Sequence, residues 1–128
     1  MGNDMKEWII KDANSIFFTP KVEEWIPSTF GLNMLEATLY KVILNKHFCI
    51  WTWQYLAKVL RTSQATIGRT LKKFAEMGII EQYKVCVGGN KTRTINIALY
   101  EKTGKIDAET IEYYRKVGYA KIMQNEHD

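Results

Sequence analysis

With 128 residues, 46% of them hydrophobic and 12% aromatic, the chain can bury the core of one domain without metals or disulfides. The longest apolar runs, such as Phe48-Cys49-Ile50-Trp51, are too short to cross a bilayer. Asp4 and Glu7 stand where a signal peptide would be basic and then apolar, so a cytoplasmic protein with no membrane partner is expected. Cys49 and Cys86 are widely spaced and belong to no Cys-x-x-Cys or Cys/His cluster; both read as reduced, half-buried apolar residues, with no metal and no other cofactor expected. The net charge of +4 is uneven: residues 61–100 carry seven Lys and Arg against two Asp and Glu, whereas residues 1–30 and 101–128 are slightly acidic. That distribution directs an anionic partner to one block of the chain.

Residues 1–31 read as an extension packed on the domain, with Trp8-Ile9-Ile10 and Ile16-Phe17-Phe18 in short elements that end at Pro20 and again at Pro27. At Asn33 the pattern turns helical. Asn33 is a good N-cap, Glu36 completes a capping box, and Leu35, Leu39, Val42 and Ile43 recur at helical spacing to about Lys46. Phe48 to Trp51 is a short strand candidate. Thr52 caps a second helix whose inward face is Leu56, Ala57 and Leu60 and whose wet face holds Lys58 and Arg61. Ser63 caps a third helix over 64–77 with Ile67, Leu71, Phe74 and Ala75 inward, and Gly78 stands where a left-handed terminating residue is wanted. Residues 79–87 and 92–100 are rich in β-branched and aromatic types and read as strands, joined through Gly88-Gly-Asn-Lys91 as a tight hairpin. After Gly104, Asp107 caps a last helix reaching about Gln124.

A tight three-helix unit followed by a basic hairpin suits double-stranded DNA. The third helix is narrow enough for the major groove, and the hairpin sets cations against flanking phosphates or the minor groove.

The stretches "FCIWTWQYLAKVLRTSQATIGRTLKKFAEMGIIEQYK" and "VGGNKTRTINIAL" resemble winged helix-turn-helix DNA-binding domains over about half the chain. The matching residues are Leu56-Ala57 in the second helix, Ser63, Thr66, Ile67 and Arg69 opening the third, Leu71 and Phe74 on its core face, and Gly78-Ile79-Ile80 leading into the wing. Where the family usually has a small residue or glycine in the turn, this chain has Arg61-Thr62. The lead-in "FFTPKVEEWIPSTFGLNMLEATLYKVIL" is similar to that of plasmid and phage replication initiators and replisome organisers, while MarR-like and GntR-like regulators share the central motif. The resemblance implies an α+β fold, a winged helix-turn-helix of three helices plus a β-hairpin wing over 32–104, with the N-terminal extension before it and an additional C-terminal helix in 105–128. It implies regulation, or an accessory role in replication, partition or transfer of a mobile element.

With Ile67, Leu71 and Phe74 inward, the 3.6-residue period turns Gln64, Ala65, Gly68, Arg69, Lys72 and Lys73 outward, with Thr66 and Thr70 on the flanks. Gln64 is suited to adenine and Arg69 to guanine, while Ala65 and the methyl of Thr66 suit a thymine methyl. Lys58, Arg61, Ser63, Thr70, Lys72 and Lys73 are the phosphate candidates on the helices, with Gln54 at the second helix's N-terminus. Lys84, Asn90, Lys91 and Arg93 are the wing candidates. The competing reading of each cation is an ordinary solubility residue.

Trp51 and Trp53 are read as packing residues rather than stacking platforms, and His47 and His127 as isolated. On the last helix, Ile111, Tyr114, Val117 and Ile122 form an apolar face. It serves either a symmetric homodimer reading two half-sites or a fold-back onto the first helix and the region of Trp8 and Trp25; the homodimer is the expectation. A winged-helix protein-protein interaction module with no DNA contact is the alternative. No enzyme is expected, because no glycine-rich phosphate loop, activated nucleophile, carboxylate pair or metal spacing is present.

Overall fold

The computed structural model describes residues 21–127, with side chains through residue 125, and opens with a six-residue helix, α1 (Trp25–Phe30), that ends on left-handed Gly31. Pro27 lies inside α1 rather than ending an element. It falls in the first turn, where the N–H that proline lacks has no intrahelical acceptor anyway. The expectations for Trp8, Ile9, Ile10, Ile16, Phe17 and Phe18 lie outside the described residues.

Helix α2 (Met34–Lys46) starts on the Asn33 capping box: the Glu36 N–H donates to the Asn33 side chain at 2.8 Å, and the Asn33 N–H to Glu36 Oε1 at 3.0 Å. Strand β1 (Phe48–Cys49) follows, then α3 (Trp53–Leu60) capped by Thr52, and α4 (Gln64–Met77) capped by Ser63, whose hydroxyl accepts from the Thr66 N–H at 3.1 Å. Arg61 itself takes the left-handed conformation between α3 and α4, with φ 58° and ψ 47°. The turn thus keeps the geometry a glycine would supply, at a conformational cost on the order of 1–2 kcal/mol for a residue with a Cβ. Arg61→Gly is therefore expected to raise stability by about 1 kcal/mol in urea denaturation. An unchanged or lowered midpoint would show that the Arg61 side chain offsets the strain.

Strands β2 (Ile80–Gly88) and β3 (Lys91–Ala98) form the hairpin, with Gly89 and Asn90 at its tip and Gly88 paired to Lys91. β1 adds to the other edge of β3, giving an antiparallel sheet in the order β1-β3-β2. Two short strands that the residue pattern did not suggest, β4 (Tyr100–Glu101) and β5 (Gly104–Lys105), make a small second hairpin before α5 (Ala108–His127).

The register splits the sheet into two faces. Ile80 and Ala98 pair and join the first core, which holds α1 to α4 through Ile26, Leu39, Ile43, Leu56, Ile67, Leu71 and Phe74. Val85, Ile95 and Ile97 point the other way, into a second core closed by Ile111 and Ile122 of α5. At Gly118 α5 approaches β3 so closely that a Cβ would stand 2.9 Å from the Ile95 side chain. Of the apolar face of α5, Ile111, Tyr114 and Ile122 are therefore spent on the chain's own sheet, Ile122 fully buried and Ile111 nearly so, while Val117 is half-buried. Its buried isoleucines are not available to a partner, and the surface they cover is the sheet rather than the first helix. Residues of α5 also clamp the hairpin electrostatically, since Arg115 meets both Glu81 oxygens at 2.5 and 2.7 Å and Glu112 at 2.5 Å.

Cys49 is fully buried, and burial pushes its thiol up to about 11; Cys86 is exposed, so only one of the two is an interior residue. His47 is not isolated: its ring stacks on Tyr114 at 5.2 Å and its Nδ1 lies 3.3 Å from the Tyr114 hydroxyl. Among the described residues no helix is long and apolar enough to cross a membrane, and no three His, Cys, Asp or Glu side chains gather where they could hold a metal ion.

Candidate nucleic-acid interface

The first two turns of α4 carry the candidate base-reading set. Gln64, Ala65 and Arg69 are exposed and Thr66 is half-buried, all on the face opposite Ile67, Leu71 and Phe74. Three polar side chains there are linked: the Ser63 hydroxyl lies 2.9 Å from the Thr66 hydroxyl, which accepts from the Arg69 guanidinium at 3.3 Å. Arg69 consequently lies back along the helix toward its N-terminus. That one long hydrogen bond leaves the other guanidinium donors uncommitted to Thr66.

Lys72, like Lys58 and Gln54 on α3, is exposed. Lys73 is placed differently from its expectation. Its ammonium donates to Glu36 Oε2 at 2.8 Å, tying α4 to the capped start of α2. Burial would raise the Glu36 carboxyl, but the hydrogen bonds from Lys73 and the Asn33 N–H outweigh it and hold the group below its usual range. Thr70 leaves the phosphate set altogether: it is 7% exposed, and its hydroxyl donates to the Thr66 carbonyl at 2.8 Å. Such back-bonding within a helix is how a buried threonine satisfies its hydroxyl.

On the hairpin, Asn90 and Lys91 are exposed at the tip. Lys84 pairs with Thr94 and Arg93 with Val85, so the two cations lie on opposite faces of the sheet. Lys84 faces the side of Ile80 and Ala98 and is exposed. Arg93 is half-buried and donates to the Ile50 carbonyl at 3.0 Å, which fastens the hairpin to the segment after β1 and removes Arg93 from the tip cluster. Among the described residues, no ion pair engages Lys58, Lys72, Lys84 or Lys91.

The arrangement also contains a residue pair that the residue pattern did not single out as functional. Trp53, the first residue of α3, is 47% exposed, and its indole lies across Gly68 of α4; a Cβ at residue 68 would stand 2.6 Å from the ring. Glycine thus lets the indole lie directly on α4, where any larger residue would push the ring aside, and a large aromatic edge stands beside the outward face of α4. A groove of about 170 Å³ runs from Thr52 and Trp53 to Thr92 and Thr94 of β3, joining the start of α3 to the hairpin. The only signal for this pair in the sequence is a glycine inside a helix, which marks a close approach without naming its partner. Trp51, by contrast, is a packing residue as expected, edge-on to Tyr55 at 4.7 Å with the Lys46 ammonium 4.1 Å from its ring centre.

The α4 face, the start of α3 and the hairpin tip therefore offer cations, amides and hydroxyls, with no acidic side chain before Glu76 on α4. No protein-family model and no curated protein matches the chain. A solved structure described as a "possible transcriptional regulator from Methanosarcina mazei Go1" superposes with a TM-score of 0.51 at 20% sequence identity, over 78% of this chain and 81% of that one. At that identity the likeness is one of fold.

Proposed function

We propose that this chain is a double-stranded DNA-binding regulator of the winged helix-turn-helix type, with α4 in the major groove and the β2–β3 hairpin as the wing. The observation that carries the reading is the chemistry of the exposed side chains: Gln64, Ala65 and Arg69 with half-buried Thr66 at the start of α4, and Lys58, Lys72, Lys84 and Lys91, which have no carboxylate partner among the described residues. Mutual packing of α3 and α4 needs none of these outward side chains. The likeness in fold to a protein described as a possible transcriptional regulator supports a regulator, and service to a plasmid, phage or other mobile element rests on the resemblance of the residue 17–44 lead-in.

In this reading the lysines and the exposed amides Gln54 and Asn90 contact phosphates and fix orientation, whereas Gln64, Thr66 and Arg69 meet base edges. The exposed edge of Trp53 packs, in this reading, on deoxyribose at the groove's rim. Selection of bound sites from a random duplex library tests the proposal, and recovery of no enriched motif, together with no gel shift of random duplex at low salt, would sink it.

The two kinds of contact separate in variants. Arg69→Ala is expected to cost about 1–3 kcal/mol on the selected site and much less on random duplex, with relaxed preference at one base pair. Lys91→Ala is expected to weaken all duplexes alike and to lower the slope of log affinity against log salt by about one. Equal losses on selected and random duplex for Arg69→Ala would remove Arg69 from the base-reading set.

A further inference from the structure

The outward surface of α4 has a gap at Gly68, and a ring from another helix fills it. With Ile67, Leu71 and Phe74 inward, helical spacing sets Gly68 on the flank of Gln64, with Ala65 one turn before it and Lys72 one turn after. The six-membered ring of the Trp53 indole lies on that gap: a Cβ at residue 68 would stand 2.6 Å from Cζ3, 2.9 Å from Cη2 and 3.1 Å from Cε3. The contact is therefore carbon against carbon. Even with this seat, Trp53 stays 47% exposed. Packing of α3 against α4 is already carried by Leu56, Ile67 and Leu71, all buried in the first core, and needs no ring at the surface. Ala65 is exposed beside the seat, so the indole and one methyl form an apolar spot among Gln64, Arg69 and Lys72.

In the major groove the apolar mark on a base pair is the C5 methyl of thymine; the other three bases present polar atoms there. Resting on the DNA-binding reading above, we propose that Trp53, seated on Gly68, is a specificity-determining residue that receives the methyl of one thymine. The ring touches DNA, and Gly68 is a positioning residue that acts through the ring. Sequence is then read by the first residue of α3 as well as by α4. A thymine methyl stands beside the backbone of its own strand, so a single indole edge meets both that methyl and a deoxyribose at the rim. The groove from Trp53 to Thr92 and Thr94 gives that backbone a path toward the hairpin.

The test uses the full chain and a duplex selected from a random library, together with copies in which each thymine in turn is replaced by uracil. That replacement removes one methyl and leaves every hydrogen-bonding atom in place. Fluorescence anisotropy of the labelled duplex reads affinity. The parent protein is expected to lose ~4-fold at one position, about what burial of one methyl contributes. Trp53→Ala is expected to bind the thymine and uracil duplexes equally at that position, and Trp53→Phe to keep part of the difference. Gly68→Ala, a change that by residue type favours helix, pushes the ring aside and is expected to lose the difference while still melting cooperatively. Added to Trp53→Ala, it is expected to change the difference no further, because no ring is left to displace. A methyl effect that survives Trp53→Ala at every position belongs to Ala65 or Thr66 and overturns the assignment. A parent that binds duplex but is indifferent to every uracil overturns this inference alone, whereas a parent that binds no duplex removes the DNA-binding reading with it. Should Trp53→Ala fail to fold, Trp53→Phe and Gly68→Ala decide, and an undiminished difference in both overturns the assignment.

Discussion

Phe74→Ala is expected to lower the unfolding free energy by about 3–5 kcal/mol, a large part of the roughly 5–15 kcal/mol that holds a domain of this size folded. Phe74 is fully buried on the inward stripe of α4 and meets the Tyr40 ring edge-on at 5.8 Å and 83°. Tyr40 is itself held on its far side: its hydroxyl donates to the Tyr100 carbonyl at 2.8 Å and accepts from the Tyr100 N–H at 3.1 Å, and burial pushes the hydroxyl up to about 12. A ring anchored in this way cannot swing to fill the space that Phe74 leaves, so the cavity persists and the cost falls toward the upper part of that range. Urea denaturation reads the effect as a lowered midpoint at constant slope. Because no outward side chain of α4 is touched, the folded fraction is expected to keep the base preference proposed for that face. A loss under about 1 kcal/mol would mean that the α4 stripe is not a principal fastening of the helix.

That stripe was legible because local chemistry and burial agree along α4. Ser63 caps it, Ile67, Leu71 and Phe74 repeat at helical spacing, Gly78 terminates it at φ 75°, and the observed helix spans Gln64–Met77 as the spacing indicates. The Asn33 capping box and the Gly88 to Lys91 turn were readable for the same reason, since each is a short-range signal with a defined geometry.

What escaped the residue pattern depends on distance or register. Arg93 lies one strand position from where a tip cation would be useful, and only its pairing with Val85 shows that it faces the side covered by α5. Thr70 lies on the flank of α4 by angle, and its burial there, with its hydroxyl turned onto the Thr66 carbonyl, is not decided by the spacing alone. Lys73 is on the outward face of α4, yet the partner that draws it off, Glu36, is 37 residues away. The Trp53–Gly68 contact joins two elements whose crossing no single segment encodes. The destination of α5 was ambiguous because an amphipathic helix reports that it is covered without reporting by what.

Ile122→Ala tests that destination directly and is expected to cost about 2–5 kcal/mol. Ile122 is fully buried against Val85, Ile95 and Ile97, so its loss opens a cavity between α5 and the hairpin strands. The consequence for the candidate interface follows from what α5 covers. With the helix loosened, the face of the hairpin that carries Ile95 and Ile97 is underpacked, and the Arg115 clamp on Glu81 has less to hold it in place. Faster hydrogen exchange is therefore expected at the amides of β2 and β3, with α4 little changed, because α4 belongs to the first core. On the function proposed above, DNA affinity is expected to fall through the hairpin rather than through base preference, so a selected motif would stay the same while binding weakens on every duplex. Unaltered exchange in β2 and β3 beside a lowered unfolding midpoint would show that α5 adds stability without setting the hairpin's rigidity.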